Sequence, residues 1–368
     1  IKMENNYWTV EEWLIFKPEF NNKLDEYYDI INKYSKIIFS NYNEPLIALE
    51  TNNYCDEKYE NNYIKSRFNQ EIDLLNNINL THLTFGYKFN KVIDLLNNIN
   101  LTHLTFGYKF NKVIVLSNNI NLTHLTLGWM FNKKINLSNN INLTHLSFGS
   151  NFNQEIDLSN NINLTHLTFE FFFNQEIDLS KNINLTHLTF GFHFNEEIDL
   201  LNNINLTHLI FGFWFNKEID LLNNINLTHL TFGTWFNQKI DLSNNINLTH
   251  LTLSGDFNQK IFIPLSVKSL TMAYCNNQYI IDNLHNNIEE LTIIKTSLNL
   301  DNLPNSIKNI YIKYYKKEIN NLPNSIEYLE LIDYDLKIKK FPKKLKTIKC
   351  DEDYTYINDF KDYEVIYH

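Results

Sequence analysis

Cysteine, proline and glycine are scarce in this chain of 368 residues: three, six and eight respectively. Cys55, Cys275 and Cys350 are odd in number and form no C-x-x-C pair. That excludes a disulfide framework and a zinc ribbon, and free thiols fit a reducing compartment. Positive charge is also short. With 32 Lys and Arg against 42 Asp and Glu the net charge is -10, which supplies no overall basic field for nucleic acid. Lysines do gather between Lys295 and Lys349, twelve of them against six acids. No run approaches the ~18 apolar residues of a membrane span, and Trp13-Leu14-Ile15-Phe16 is too short for a signal-peptide core. A cytoplasmic protein without a membrane partner is expected. Catalytic signatures are missing as well: there is no G-x-S-x-G, no H-E-x-x-H and no phosphate-cradling glycine loop.

What is present is material for a core and a strict period. Hydrophobic residues make up 43% and aromatics 14%, so the chain should fold despite its 62 asparagines. Seven of the glycines (Gly86, Gly107, Gly128, Gly149, Gly191, Gly212, Gly233) recur at 21 residues or twice that, skipping Glu170. An F-N pair keeps the same period from Phe68 to Phe257. Within a unit, apolar residues alternate with period two, broken by one change of parity, and no 3.6-residue stripe persists. Each unit therefore reads as short extended segments joined at a corner. The fold class implied is mainly β: a right-handed solenoid of about 14–16 coils, with nine regular repeats over 68–256. Degenerate first coils fill 37–67, degenerate 19–21-residue repeats fill 257–350, and 351–368 form a C-terminal cap or tail. Residues 1–36 are expected to be a helical N-terminal cap, because Tyr27, Tyr28, Ile31 and Tyr34 fall at helical spacing and Val10–Phe16 supplies an apolar face.

The motif L-T-F-G-x-x-F-N-Q-E-I, together with Leu303-Pro304-Asn305-Ser306-Ile307 and Leu322-Pro323-Asn324-Ser325-Ile326, resembles the FNIP repeat. That family is a relative of the leucine-rich repeat found in amoebae and their giant viruses. The resemblance implies a parallel sheet on one face of a solenoid. Viral relatives often carry an F-box ahead of the repeats, which would imply recruitment to a ubiquitin ligase. Here about 36 residues precede the first unit, too few for that domain, and they hold no leucine-proline entry motif.

Stacking turns every repeated residue into a column. The F-N asparagines (Asn69 through Asn258) should bond backbone groups of their own and the next coil. The aspartates (Asp73, Asp94, Asp157, Asp178, Asp199, Asp220, Asp241) repel one another and belong on a solvated face. Nine histidines from His82 to His250 should sit on the exposed sheet face and suppress one another's protonation. One straight column lacks the tetrahedral four-ligand array of zinc, so neither metal nor cofactor is expected. The nine N-L-T triplets match a glycosylation sequon but read better as repeat chemistry.

Identical coils give a uniform surface, so specificity must come from positions that vary. The pair after the glycine varies most and is rich in rings: Tyr87-Lys88, Tyr108-Lys109, Trp129-Met130, Ser150-Asn151, Phe171-Phe172, Phe192-His193, Phe213-Trp214 and Thr234-Trp235. Tyr87, Lys88, Tyr108, Lys109, Trp129, Met130, Phe171, Phe172, Phe192, His193, Phe213, Trp214 and Trp235 are accordingly the candidate partner-binding residues. The rings either stand exposed or fold back over their neighbours. The function read here is a monomeric, non-enzymatic protein-interaction scaffold using the sheet face and this aromatic edge. A carbohydrate-binding solenoid with the rings as stacking platform is the alternative.

Overall fold

The computed structural model describes residues 2–51 and 61–368. Cys55 and part of the 37–67 stretch lie outside them. The chain divides into two compact units, the first ending at Gly191 and the second beginning at Phe192.

In the first unit, strands β1 (Lys2–Met3), β2 (Tyr7–Val10) and β3 (Trp13–Phe16) form an antiparallel meander. A one-turn helix α1 (Tyr28–Ile31), strand β4 (Lys36–Phe39) and helix α2 (Pro45–Glu50) follow. Then come the repeat strands β5 (His82–Thr84), β6 (His103–Thr105), β7 (His124–Thr126), β8 (His145–Phe148), β9 (His166–Phe169) and β10 (His187–Thr189). From β3 onward all neighbours pair in parallel. The register sets His on His and Leu on Leu, because the 21-residue period returns each coil to the same point.

The helical cap expected over residues 1–36 is corrected by this structure. Trp13–Phe16 is a strand, and helix is confined to Tyr28–Ile31. An open sheet edge exposes a row of unpaired N–H and C=O groups, and only another strand can pair all of them. Apolar β-formers at Trp13, Leu14, Ile15 and Phe16 supply it by pairing residue for residue with Lys36–Phe39.

Each coil is held in three ways. The strand leucines and the two phenylalanines per unit are buried, and the rings stack, Phe85 on Phe89 at 3.8 Å and Phe106 on Phe110 at 3.7 Å. The F-N asparagines form a half-buried ladder in which Asn90 N–H donates to Asn69 Oδ1 (2.9 Å) and Asn111 N–H to Asn90 Oδ1 (3.0 Å). The fully buried amides are a different column, the second Asn of N-N-I. Asn161 Nδ2 donates to Leu137 O (3.0 Å) and Asn140 O (2.9 Å), and Asn140 repeats this one coil below. The aspartates are exposed and cap turns, Asp157 Oδ1 accepting from Ser159 N–H at 2.9 Å.

The glycines serve close approach rather than positive φ. A Cβ on Gly128 would lie 1.9 Å from Gly107 O, with backbone that cannot yield. Gly255 alone among them is left-handed, at φ +60.

In the second unit β11 (His208–Ile210), β12 (His229–Thr231) and β13 (His250–Ser254) repeat the histidine register. Next come β14 (Ser269–Ala273), α3 (Gln278–Asp282), β15 (Glu290–Ile294), β16 (Asn309–Lys313), β17 (Tyr328–Ile332), β18 (Thr347–Cys350) and β19 (Glu364–Tyr367). All these strands pair in parallel. Tyr274, Lys295, Tyr314 and Asp333 take positive φ at the position of Gly255. The one-residue shift of Gly255 thus marks a change of turn type. In the C-terminal segment Tyr354 and Phe360 are buried and stack on each other at 5.0 Å.

Candidate functional site

The sheet face carries the histidines. In the first unit they stack ring on ring at 4.1–4.2 Å from His82 to His187, with Trp13 edge-on against His82 at 5.4 Å. Mutual cover leaves them half-buried rather than exposed. Each strand-entry threonine hydroxyl donates to the carbonyl one coil below, as Thr102 Oγ1 does to Thr81 O at 3.0 Å. The same Oγ1 lies 2.9 Å from His103 Nδ1. The hydroxyl proton being committed, the imidazole is the donor and Nε2 carries the free lone pair. Burial, with the neighbouring imidazoles, holds His124, His145 and His187 below the ordinary histidine value. His82 and His103 are lowered to about 4, again mainly by burial, and the Lys36 charge adds to the effect at His82. Among the described residues no three His, Cys, Asp or Glu side chains converge where a metal ion could be held.

Many lysines of the rich stretch pair with acids of neighbouring coils. Lys308 meets Glu289 at 2.7 Å, Lys346 meets Glu327 at 2.6 Å, and Lys339 meets Glu318 at 2.8 Å. Glu330 is almost fully buried between Lys313 (2.9 Å) and Lys349 (3.5 Å). Burial pushes its carboxyl up, but bonds and charge from these lysines outweigh that and hold it low.

The candidate aromatic residues divide by exposure. Lys88, Lys109, Trp129, Phe171, Phe172 and Trp235 are exposed, while Tyr87, Tyr108, Met130, Phe192, His193, Phe213 and Trp214 are half-buried. Tyr87, Tyr108 and Trp129 form one stack, at 4.7 and 5.6 Å, which ends where Ser150 takes the ring's place. In the second unit Phe192 stacks on Phe213 at 4.6 Å and Trp214 lies against Trp235 at 4.5 Å. Both expected behaviours therefore occur, folded-back rings at some rungs and open rings at others.

Beside the first stack runs a groove of about 390 Å³. Tyr108, Trp129, Thr105, Thr126 and Ser147 line it, together with Gly107, Gly128, Gly149 and Glu170. Neither Glu170 nor Ser150 belongs to the sequence-derived site. Their signal was a double departure on successive coils, the glycine column losing its glycine and the ring column losing its ring. Ser150 Oγ donates to Glu170 Oε2 at 2.6 Å. Phe148 pairs with Phe169 beside this contact, a pairing absent between β5, β6 and β7.

Residues 297–334 match the FNIP repeat family. The match falls on the two L-P-N-S-I units rather than on the regular F-N array. Among solved structures the chain is similar to CroV588, a giant-virus protein described as a novel circular LRR protein structure: 30% identity, 94% of this chain and 60% of that one, TM-score 0.60. It also resembles the functional domain of InlJ from Listeria monocytogenes, at 21% identity over 76% of this chain and 65% of that one, TM-score 0.54, which speaks for the fold alone. The chain spans less than two thirds of the length of either. No curated protein matches it in sequence. The FNIP-type coils here thus build a leucine-rich-repeat-like β-solenoid. Among the described residues no helix is long and apolar enough to cross a membrane.

Proposed function

We propose that this FNIP-type array is a non-enzymatic scaffold that binds a protein partner through its sheet face and the aromatic edge beside it. The observation that carries the reading is that the most variable slot of the regular repeats holds large rings open to water. Trp129, Phe171, Phe172 and Trp235 are 36–44% exposed, all in the slot after the glycine column, whereas the phenylalanines of the strands and F-N pairs are buried. Rings bury large area at little entropic cost, so such a slot is a natural anchor for a partner. Repetition weighs against catalysis, since a reaction needs unlike groups converging at one point.

The carbohydrate reading is weaker because the stacked rings cover one another's faces. Tyr87 and Tyr108 lie 11° from parallel at 4.7 Å, leaving mainly edges to a sugar. To test the scaffold reading, Trp129, Phe171, Phe172 and Trp235 are replaced by Ser and the proteins retained from host lysate are compared. Loss of specific retention with an unchanged melt is expected; a folded variant that retains the same set refutes it.

A further inference from the structure

We propose that the groove beside Trp129 and Glu170 receives a basic side chain, arginine or lysine, presented by the protein partner. This deepens the scaffold reading and rests on it. The aromatic stack shows the preference itself. Lys65 Nζ lies over the Tyr87 ring at 5.1 Å and Lys109 Nζ over the Tyr108 ring at 5.5 Å, so two of its three rings already hold a cation from this chain. At the third rung the following residue is Met130, and among the described residues no cation lies over Trp129. An indole is the strongest of the aromatic cation acceptors.

The counter-charge stands beside it. Glu170 occupies the glycine column two coils beyond Gly128, and its carboxylate reaches back over one coil, about 4.8 Å, to the Ser150 hydroxyl. That places a negative charge one rung from Trp129, in the lining of the same groove. Among the described residues no lysine or arginine pairs with it. Ser150 is buried and smaller than the ring it replaces, and it holds the exposed Glu170 side chain through Oε2. The apolar stem of a long basic side chain suits the walls of Tyr108 and Trp129, and its head meets Glu170.

The test uses the full chain and a short Gly/Ser peptide with one central arginine, compared with the same peptide carrying neutral citrulline. Binding is read from the Trp129 indole N–H resonance. Glu170→Gly restores the residue of its column and so keeps the fold, while Glu176→Gln removes an exposed charge elsewhere. A saturable shift by the arginine peptide alone is expected, with affinity falling at least about fivefold in Glu170→Gly and holding in Glu176→Gln. Equal binding of the citrulline peptide, no change in Glu170→Gly, or an equal loss in Glu176→Gln overturns the groove proposal. None of these outcomes depends on lysate capture, so the broader scaffold reading stands or falls separately.

Discussion

A histidine every 21 residues looks like chemistry, and its hydrogen bonds say otherwise. Because each threonine hydroxyl already donates to the coil below, Nδ1 must carry the ring proton, and a second proton could enter only at Nε2 within a stack of rings about 4.2 Å apart. The folded state thus resists protonation that an unfolded chain accepts near pH 6.5. A folded-state pKa below the unfolded value means that the unfolded chain binds more protons as pH falls. Stability is therefore complete above about pH 6.5 and declines toward pH 4, the value reached by His82 and His103. Thermal melts across that window should show a falling Tm, less steep in a His103→Gln, His124→Gln variant. A flat profile would mean that the stack plays no part in acid sensitivity. The sheet-face position of the column was legible in the L-T-H-L-T-F alternation, whereas the half-burial that leads the suppression was not. Nor was its tautomer, because that depends on the carbonyl one coil away that takes the threonine proton.

Among the elements, the asparagine columns separate what a pattern can rank from what packing decides. N-N-I-N-L offers three amides per unit, and sequence reasoning placed the structural weight on the F-N asparagine instead. The structure gives that residue a half-buried ladder and reserves full burial for the second Asn of N-N-I, whose amide donates to two carbonyls of the preceding coil. Asn161→Ala should cost about 1–3 kcal/mol, since it removes two buried bonds, although Leu137 O and Asn140 O each keep a backbone N–H donor. Asn160→Ala removes one exposed 3.2 Å bond and should cost below about 1 kcal/mol. Urea midpoints of the two variants decide this, and equal losses would remove the distinction between the columns. Three asparagines within four residues look alike in sequence, whereas only one turns its amide into the corner of the coil.

For the molecule as a whole, a stack of coils that cannot stand singly needs closed ends. The first end is closed by pairing β3 with β4, and Asn77 Nδ2 ties the first regular coil to Ile31 O and Tyr34 O at 2.8 and 3.0 Å. Removing residues 1–34 spares β4 but bares its edge, and aggregation or loss of cooperative melting is expected. A truncated chain that stays monomeric and melts in one step would show that the meander is dispensable. The sequence by itself determined the period, the parallel stacking, the buried leucines and phenylalanines, and the slot where the chain varies. These follow from a residue's neighbours along the chain, because a strict repeat makes each coil's surroundings a copy of itself. Only the tertiary structure decided that a strand meander closes the first end, that glycine serves close approach, and that Ser150 and Glu170 meet at a groove. Each of those depends on what the next coil, or the lack of one, presents across a few ångströms of space.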